Sequence, residues 1–265
     1  MESLIRGYNL VTAEPQGPVY ICFDSDIQEQ KLTEPFEMPD LSRFPAPTRF
    51  QADPEALEQV ASLLVEAKNP VILADFLGRS EPATRGLVRL AESLAIPVIT
   101  GGDLFNFPTR HPMYSTDSKN ELLEEADVIL SLDVYDLQQM LTRQDWATRS
   151  NVDIIKPDAK LIDISLRQLL VKSWADDHGK LYPTELSLAA DTELAVPSLA
   201  GLVQLKLDDA MGSTEDINQR RNRISSLHEA TFAKSQDTAR TKASEQPLAA
   251  SVLNAGSERG QKGQI

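Results

Sequence analysis

The sequence predicts an α/β fold in which helices cover both faces of a parallel sheet. Short apolar runs, such as residues 70–74 and 127–132, have the length and composition of strands that are buried on both faces. Between these runs, apolar residues recur at helical spacing. The two kinds of segment alternate, which favours parallel strands joined by right-handed helical crossovers. We therefore expect a Rossmann-like, doubly wound parallel sheet of about five to six strands.

The first predicted elements precede this alternating region. Residues 18–23 (Pro-Val-Tyr-Ile-Cys-Phe) predict a strand with both faces buried, so that Cys22 is expected to be a buried, inert thiol. Residues 31–51 contain four prolines and predict an extended linker, because proline fixes φ and removes a hydrogen-bond donor. Asp53 then has the character of an N-cap, and Pro54 that of the first residue of a helix.

The alternating region and the C-terminal part supply the remaining elements. Strands are predicted at residues 70–74, 97–100, 127–132, 160–164 and 186–189. Helices are predicted to begin at Ser80, at 120, at 136 and near Pro197. A last helix, capped by Ser213 or Thr214, is predicted to end at residue 235. The tail, residues 236–265, is rich in small and polar residues and is expected to be disordered, because it buries too little apolar surface.

Composition excludes several classes of function. The formal net charge is −14, and such an acidic chain repels phosphate backbones, so nucleic acid is not expected as a partner. No apolar run of about 18 residues is present, and no membrane span is expected. The first ten residues lack the basic flank and the apolar stretch of a signal peptide. A single cysteine cannot form an internal disulfide, and a cytoplasmic location is therefore expected.

Several segments, in order, resemble parts of one enzyme family. Residues 17–26 resemble the last strand of the pyrimidine-binding domain in thiamine-diphosphate-dependent enzymes of the acetolactate synthase and benzoylformate decarboxylase group. Further segments resemble strands and turns of the central domain of these enzymes: residues 67–74, 96–100, 107–112, 122–130, 160–164 and 189–195. The resemblance implies a division into a remnant of the pyrimidine-binding domain (1–30), a linker (31–51), the central domain (52–211), a helix (212–235) and a disordered tail (236–265).

The resemblance also implies which catalytic groups the parent family needs. Its members form a carbanion on the thiazolium ring, using a glutamate of the pyrimidine-binding domain and a Gly-Asp-Gly segment followed by Asn that holds Mg²⁺. The glutamate would lie far upstream of residue 18, and no Gly-Asp-Gly occurs in the chain. The nearest string, Gly101-Gly-Asp103, has a different order. We therefore expect no catalytic residue, no metal ligand and no bound cofactor in the isolated chain, which should be inactive alone.

A nucleotide is the remaining ligand that the resemblance suggests. Some members of the family bind FAD or another adenine nucleotide at the carboxyl edge of the central sheet, where this chain has Gly78, Gly101, Gly102 and Asp163. Glycine amides can approach a diphosphate, and Asp163 can accept a hydrogen bond from a ribose. The first turn, however, holds the bulky and acidic Asp75-Phe-Leu, which repels phosphate. FAD or ADP is therefore disfavoured relative to a plain structural turn.

The histidines have no spacing typical of metal ligands. The dipeptide His111-Pro112 predicts a packing element of a loop, and Asp176-Asp177-His178-Gly179 predicts a solvated turn. His228 lies on the last predicted helix.

Three functions remain open at this point. The chain can be a structural and interaction module, inactive alone. It can supply the central domain to catalytic parts carried on other chains, or it can be an adenine-nucleotide-binding regulatory module. For the first two, residues 1–30 are the expected surface for self-association or for a partner chain, because an unpaired apolar strand is a template for another chain.

Overall fold

The computed structural model describes residues 1–31, 38–101, 104–166, 180–209 and 214–243. The helices are α1 (Glu2–Thr12), α2 (Ser25–Glu29), α3 (Pro54–Glu66), α4 (Glu81–Leu94), α5 (Lys119–Glu125), α6 (Leu137–Leu141), α7 (Thr192–Asp209) and α8 (Thr214–Thr241). The strands are β1 (Pro70–Ala74), β2 (Val98–Thr100), β3 (Val128–Leu132), β4 (Thr142–Gln144), β5 (Asn151–Asp153), β6 (Lys160–Ile164) and β7 (Leu186–Leu188).

Five of these strands form one parallel sheet in the order β2-β1-β3-β6-β7. A single parallel bridge between Val98 and Tyr114 adds a one-residue strand outside β2. With that bridge, the order is that of a Rossmann sheet, in which the chain winds outward from the centre in both directions. The predicted α/β class and the predicted strand number are confirmed. The antiparallel hairpin β4–β5 lies outside this sheet and was not predicted.

Local capping explains where the main helices begin. The carboxylate of Asp53 accepts a hydrogen bond from Ala56 N at 2.9 Å, and Pro54 opens α3 as predicted. Ser80 caps α4 in the same way, through Ala83 N at 3.4 Å. The predicted inner faces of both helices are buried, at Leu57, Val60, Ala61, Leu64, Leu87, Leu90, Ala91 and Leu94. Helix α7 packs against both α3 and α4 and completes this layer.

The N-terminal segment differs from the prediction. Residues 18–23 are extended but form no strand, and a helix that was not predicted, α1, covers part of them. An ideal Cβ at Gly7 would lie only 2.5 Å from Ile21 Cδ1, so the bare backbone of α1 admits the Ile21 side chain. Cys22 is exposed, and the expectation of a buried thiol was wrong. An apolar run becomes a buried strand only where a neighbouring strand accepts its hydrogen bonds, and here none does among the described residues.

The C-terminal helices also extend beyond the predicted limits. Helix α7 begins at Thr192 and not near Pro197, because the Asp191 side chain caps it by accepting from Glu193 N at 3.0 Å. Helix α8 continues to Thr241, so residues 236–241, which were predicted to belong to a disordered tail, are helical. The predicted cap Ser213 and residues 244–265 lie outside the described residues. In the described part of the chain, no helix combines the length and the apolar character needed to cross a membrane.

Arginine side chains attach α8 to the amino edge of the sheet. Arg220 donates to the carbonyl oxygens of Leu94 and Ala67, at 2.8 and 2.9 Å, where α4 and α3 end. A guanidinium at two helix C-termini is favourable because the last carbonyls lack helical partners. Arg221 donates to Glu92 O at 2.6 Å, and Ile224 is fully buried.

Candidate functional site

The sheet has a switch point between β1 and β3. From β1 the chain proceeds to β2 on one side, and β3 begins the run to the other side. In open α/β sheets, ligands bind in the crevice beyond the carboxyl ends of the strands at such a point. The residues that follow the two strands here are Asp75, a short 3₁₀ helix at Phe76–Arg79, and Asp133. This crevice is the candidate site.

Arg79 occupies the crevice. Its guanidinium contacts Asp133 Oδ2 through Nη1 at 2.5 Å, Asp191 Oδ1 through Nη2 at 3.2 Å and Glu14 Oε2 through Nε at 3.7 Å. The carboxylates of Asp133 and Asp191 are only 3% and 1% exposed. Burial by itself lowers the pKa of Arg79, but the charge and the hydrogen bond of Asp133 outweigh it and hold that pKa above its ordinary value. The guanidinium is therefore a fixed positive charge.

A second arginine extends the network to the linker. Arg49 forms an ion pair with Glu193 and lies 3.4 Å from Asp191 Oδ2. The hydrogen bond with Glu193 raises the pKa of Arg49 and lowers that of Glu193. Thr192 donates its hydroxyl to Asp133. We call Glu14, Arg49, Arg79, Asp133, Asp191, Thr192 and Glu193 the Arg79 cluster.

The backbone places Asp133 for this role. Its φ of 50° lies in the left-handed region, which aspartate adopts more readily than most residues. Asp133 N donates to Ile164 O at 3.1 Å, and its carbonyl accepts from Phe76 N at 3.3 Å. The main chain is thus held on both sides while the carboxylate points to Arg79. The left-handed conformation thus directs the Asp133 side chain into the crevice at the switch point.

The charge of the Arg79 cluster limits what the crevice can bind. Two guanidinium groups face four carboxylates, so the formal charge of the cluster is negative. Both arginines are already engaged, and a diphosphate would meet carboxylates at close range. Across the crevice, the carboxylate of Asp75 accepts from Tyr135 N at 3.1 Å, which uses another amide of this edge. The arrangement joins segments of the chain and does not favour an anion.

The predicted glycine positions are engaged within the protein. Gly78 N donates to Asn106 Oδ1 at 2.8 Å, and an ideal Cβ at Gly78 would lie 2.2 Å from Phe105 O. Gly101 N donates to Ala74 O at 3.0 Å, and Gly101 O accepts from Asn106 Nδ2 at 2.9 Å. The bare backbone of Gly78 permits a close approach of the loop at Phe105, and that of Gly101 admits the Met140 side chain. Gly102 lies outside the described residues.

Asn106 joins these two glycine loops and was missed from the sequence. Its side chain is 1% exposed, and its amide bonds both the Gly78 and the Gly101 segments. A single asparagine in a loop carries no spacing signal, so sequence reasoning had no means of selecting it.

Asp163 lies within the sheet and not in a loop at its edge. It is the fourth residue of β6, is 3% exposed, and accepts a hydrogen bond from Ser131 Oγ at 2.8 Å on the neighbouring β3. In the strand register, Asp163 lies between Ser131 and Ser187. The Asp163 carboxylate is thus buried and bonded to a neighbouring strand.

The histidines have structural contacts. The ring of His111 meets Phe107 edge-on at 4.9 Å, and its Nδ1 accepts from Met113 N at 3.1 Å, as expected for a packing element. His228 Nδ1 donates to Tyr114 O at 2.9 Å and helps to hold α8. His178 and its predicted turn lie outside the described residues.

The described residues do not fit thiamine diphosphate with a metal ion. Within the described ranges, no group of three or more His, Cys, Asp or Glu side chains has the geometry of a metal site. The carboxylates of the Arg79 cluster are directed at guanidinium groups. We therefore derive no catalytic step on that cofactor from this chain.

The family model named "Thiamine pyrophosphate enzyme, central domain" matches residues 57–199. This range includes β1, β2, β3, β6 and β7, so the match covers the whole parallel sheet. Thiamine pyrophosphate is another name for thiamine diphosphate.

Curated relatives match over a longer stretch. The acetolactate synthase large subunit of Corynebacterium glutamicum is 26% identical over 228 residues, which cover 82% of this chain and 33% of the relative. The sulfoacetaldehyde acetyltransferase of Roseovarius nubinhibens is 28% identical over 190 residues, which cover 68% of this chain and 28% of the relative. The chain thus spans about a third of the length of the curated relatives it matches.

Solved structures support the same fold. The benzoylformate decarboxylase of Polynucleobacter necessarius aligns with a TM-score of 0.54 at 19% identity, over 76% of this chain and 36% of that one. Agreement at this level of identity concerns the fold. Together with the family match over more than half of the residues, it leads to one conclusion: the chain belongs to the family of thiamine pyrophosphate enzyme central domains.

Proposed function

We propose that this chain is the structural central domain of a thiamine-diphosphate-dependent lyase or synthase that acts on 2-keto acids, and that it contributes no catalytic group. The observation that carries this proposal is the Arg79 cluster, which fills the switch-point crevice with ion pairs between segments of the chain itself. The names of the relatives support the reaction class, because acetolactate synthase and benzoylformate decarboxylase are among them. A cytoplasmic location is part of the proposal.

Calorimetry tests the absence of a catalytic contribution. The chain is titrated with thiamine diphosphate in the presence of Mg²⁺, and pyruvate and benzoylformate are assayed for decarboxylation. We expect no binding heat and no turnover, because the chain has no Gly-Asp-Gly segment and its described carboxylates do not form a metal site. Binding in the low-micromolar range would contradict the proposal.

A role as a component completed by other chains is the second candidate. It is supported by apolar side chains of residues 1–30 that face solvent: Tyr20 is 91% exposed, and Phe23 is 44% exposed. Exposed apolar groups that lie close together are typical of surfaces that bind protein. We propose that residues 1–30 mediate weak self-association or contact with a partner chain.

Sedimentation velocity distinguishes this candidate. The complete chain should show a concentration-dependent increase in sedimentation coefficient, and the double variant Tyr20→Ser/Phe23→Ser should lose it. Replacing Trp146, which is 86% exposed on the loop between β4 and β5, by Ser is the matched control and should leave association unchanged. If the unsubstituted chain sediments as a monomer at all concentrations, self-association is excluded, and the proposal then requires a partner chain.

Nucleotide binding is the reading that the geometry favours least. The amides of Gly78 and Gly101 are engaged, and the crevice presents carboxylates. Titration with ADP should give no saturable signal. A saturable signal that Asp163→Asn weakens would restore the nucleotide hypothesis.

A further inference from the structure

We infer that residues 1–24 form a strap that is fastened to the domain by the Glu14–Arg79 ion pair and that opens without unfolding of the sheet. We call these residues the N-terminal strap. The inference does not depend on the proposed function, because it concerns how one segment of the chain is attached.

The N-terminal strap packs largely on itself. In α1, the buried residues are Ile5 and Gly7. Gly7 faces the Ile21 side chain. An ideal Cβ at Gly7 would also lie 3.8 Å from Val19 Cγ1. Helix α1 thus packs against the Ile21 and Val19 side chains of the extended residues 18–23. The internal contacts of the strap can survive its release from the sheet.

Glu14 connects the strap to the carboxyl edge of the sheet. Its side chain is 12% exposed and approaches Arg79 Nε at 3.7 Å. The same guanidinium holds Asp133 at 2.5 Å and Asp191 at 3.2 Å. Of its three acidic partners, Glu14 is the most distant and the most exposed. Loss of this contact leaves Arg79 with two buried carboxylates, so the domain retains its own ion pairs.

Two buried oxygen atoms of the strap accept no hydrogen bond from the described part of the chain. Among the described residues, Glu14 Oε2 and Asn9 Oδ1 in the strap are buried oxygen atoms without a hydrogen-bond partner, as is Asp191 Oδ2 in the domain. The contact of Glu14 Oε2 with Arg79 Nε, at 3.7 Å, is an ion pair that is too long for a hydrogen bond. A buried acceptor without a partner destabilises the closed state relative to one that water can reach. Opening would hydrate both atoms. Hydration of these atoms therefore favours release of the strap while the core remains folded.

The single cysteine gives a direct probe of opening. Cys22 is the only cysteine, it is exposed, and it lies in the strap, so a nitroxide label attached there reports the mobility of that segment. In the original chain, we expect an electron paramagnetic resonance spectrum with a slow component from the fastened strap. Glu14→Gln should reduce this component, and Glu14→Ala should abolish it, because the charge and then the whole contact are removed.

The control is Glu2→Gln, which removes the same charge from an exposed position of α1 and should leave the spectrum unchanged. The melting temperature of the sheet, followed by circular dichroism, should fall by no more than about 3 °C in both Glu14 variants. Two results would overturn the inference. One is a spectrum of Glu14→Ala that superimposes on that of the original chain; the other is a fall in melting temperature as large as that of Arg79→Met.

Discussion

The two edges of the sheet use arginine in different ways. At the carboxyl edge, Arg79 is surrounded by charged carboxylates, which hold its pKa above the ordinary value despite burial. At the amino edge, Arg220 donates to neutral carbonyl oxygens, and burial lowers its pKa because the more distant Asp127 and Asp216 offset only part of the desolvation. Removing Arg79 would leave buried carboxylates without a compensating charge, which is costly. Removing Arg220 would leave neutral carbonyl groups that lose only their hydrogen bonds.

The largest expected effect is that of Arg79→Met. Asp133 would remain buried without a guanidinium, and Asp191 would keep only its contact with Arg49 at 3.4 Å. Breaking a buried pair from one side destabilises by about 3–5 kcal/mol. Urea unfolding followed by circular dichroism measures the change. Arg85→Met is the control, because Arg85 and Glu81 form an exposed pair on α4 worth about 0.3–0.5 kcal/mol. Equal losses in the two variants would show that the Arg79 cluster is no stronger than a surface pair.

Gly78→Ala tests the packing of the same edge. Its Cβ would lie 2.2 Å from Phe105 O, a backbone atom that cannot move alone, so we expect a loss of about 3 kcal/mol by overpacking. Gly201→Ala on α7 is the matched control. No atom lies within 4 Å of its ideal Cβ, and the helix should gain up to about 1 kcal/mol in propensity. A neutral Gly78→Ala would mean that the two loops separate easily, and a nucleotide site there would again be open to argument.

Arg220→Met tests the contribution of arginine at the amino edge of the sheet. Two hydrogen bonds from a charged guanidinium to partly exposed carbonyl groups are lost, and at about 1.5 kcal/mol each the loss should be about 3 kcal/mol, no more than the smallest loss expected for Arg79→Met. Hydrogen exchange should accelerate first in the opening turns of α8. If Arg220→Met proves more damaging than Arg79→Met, the distinction between charged and neutral partners fails for this protein.

The smallest expected effect is a difference in acid sensitivity. The hydrogen bond with Arg49 lowers the pKa of Glu193 in the folded chain below its ordinary value of 4.5. Its contribution to stability is therefore present above pH 4.5 and is lost as the pH falls through the folded pKa. Glu193→Gln should reduce the fall in unfolding free energy between about pH 6 and about pH 3.5.

Glu125→Gln is the control for that measurement at the amino edge. Glu125 pairs with Arg223 at 2.6 Å, and both side chains are nearly half exposed, so its removal should change the pH dependence less. A larger change for Glu125→Gln would show that the carboxyl edge is not the main source of acid sensitivity.

Local rules in the sequence predicted much of the fold. The caps Asp53 and Ser80 and the strand at residues 160–164 lie where they were predicted, because each depends on neighbours within a few residues. The candidate site was predicted only as a place, the carboxyl edge of the sheet. Its main residue, Arg79, was not selected, because its partners Asp133 and Asp191 are 54 and 112 residues away. The sequence feature that pointed to the site was the pair of charged residues that directly follow β1 and β3.

The sequence by itself determined the α/β class, the strands of the parallel sheet and the starts of α3 and α4, since apolar periodicity and capping are properties of short segments. Tertiary structure decided the rest. Residues 18–23 have the composition of a buried strand, yet they remain extended and exposed, because no strand among the described residues pairs with them. Gly78 and Gly101 are of the residue type whose amides can approach a diphosphate, yet Gly78 N donates to Asn106 Oδ1 and Gly101 N donates to Ala74 O. A residue type shows which contacts are possible, but the packing of distant segments decides which of them form.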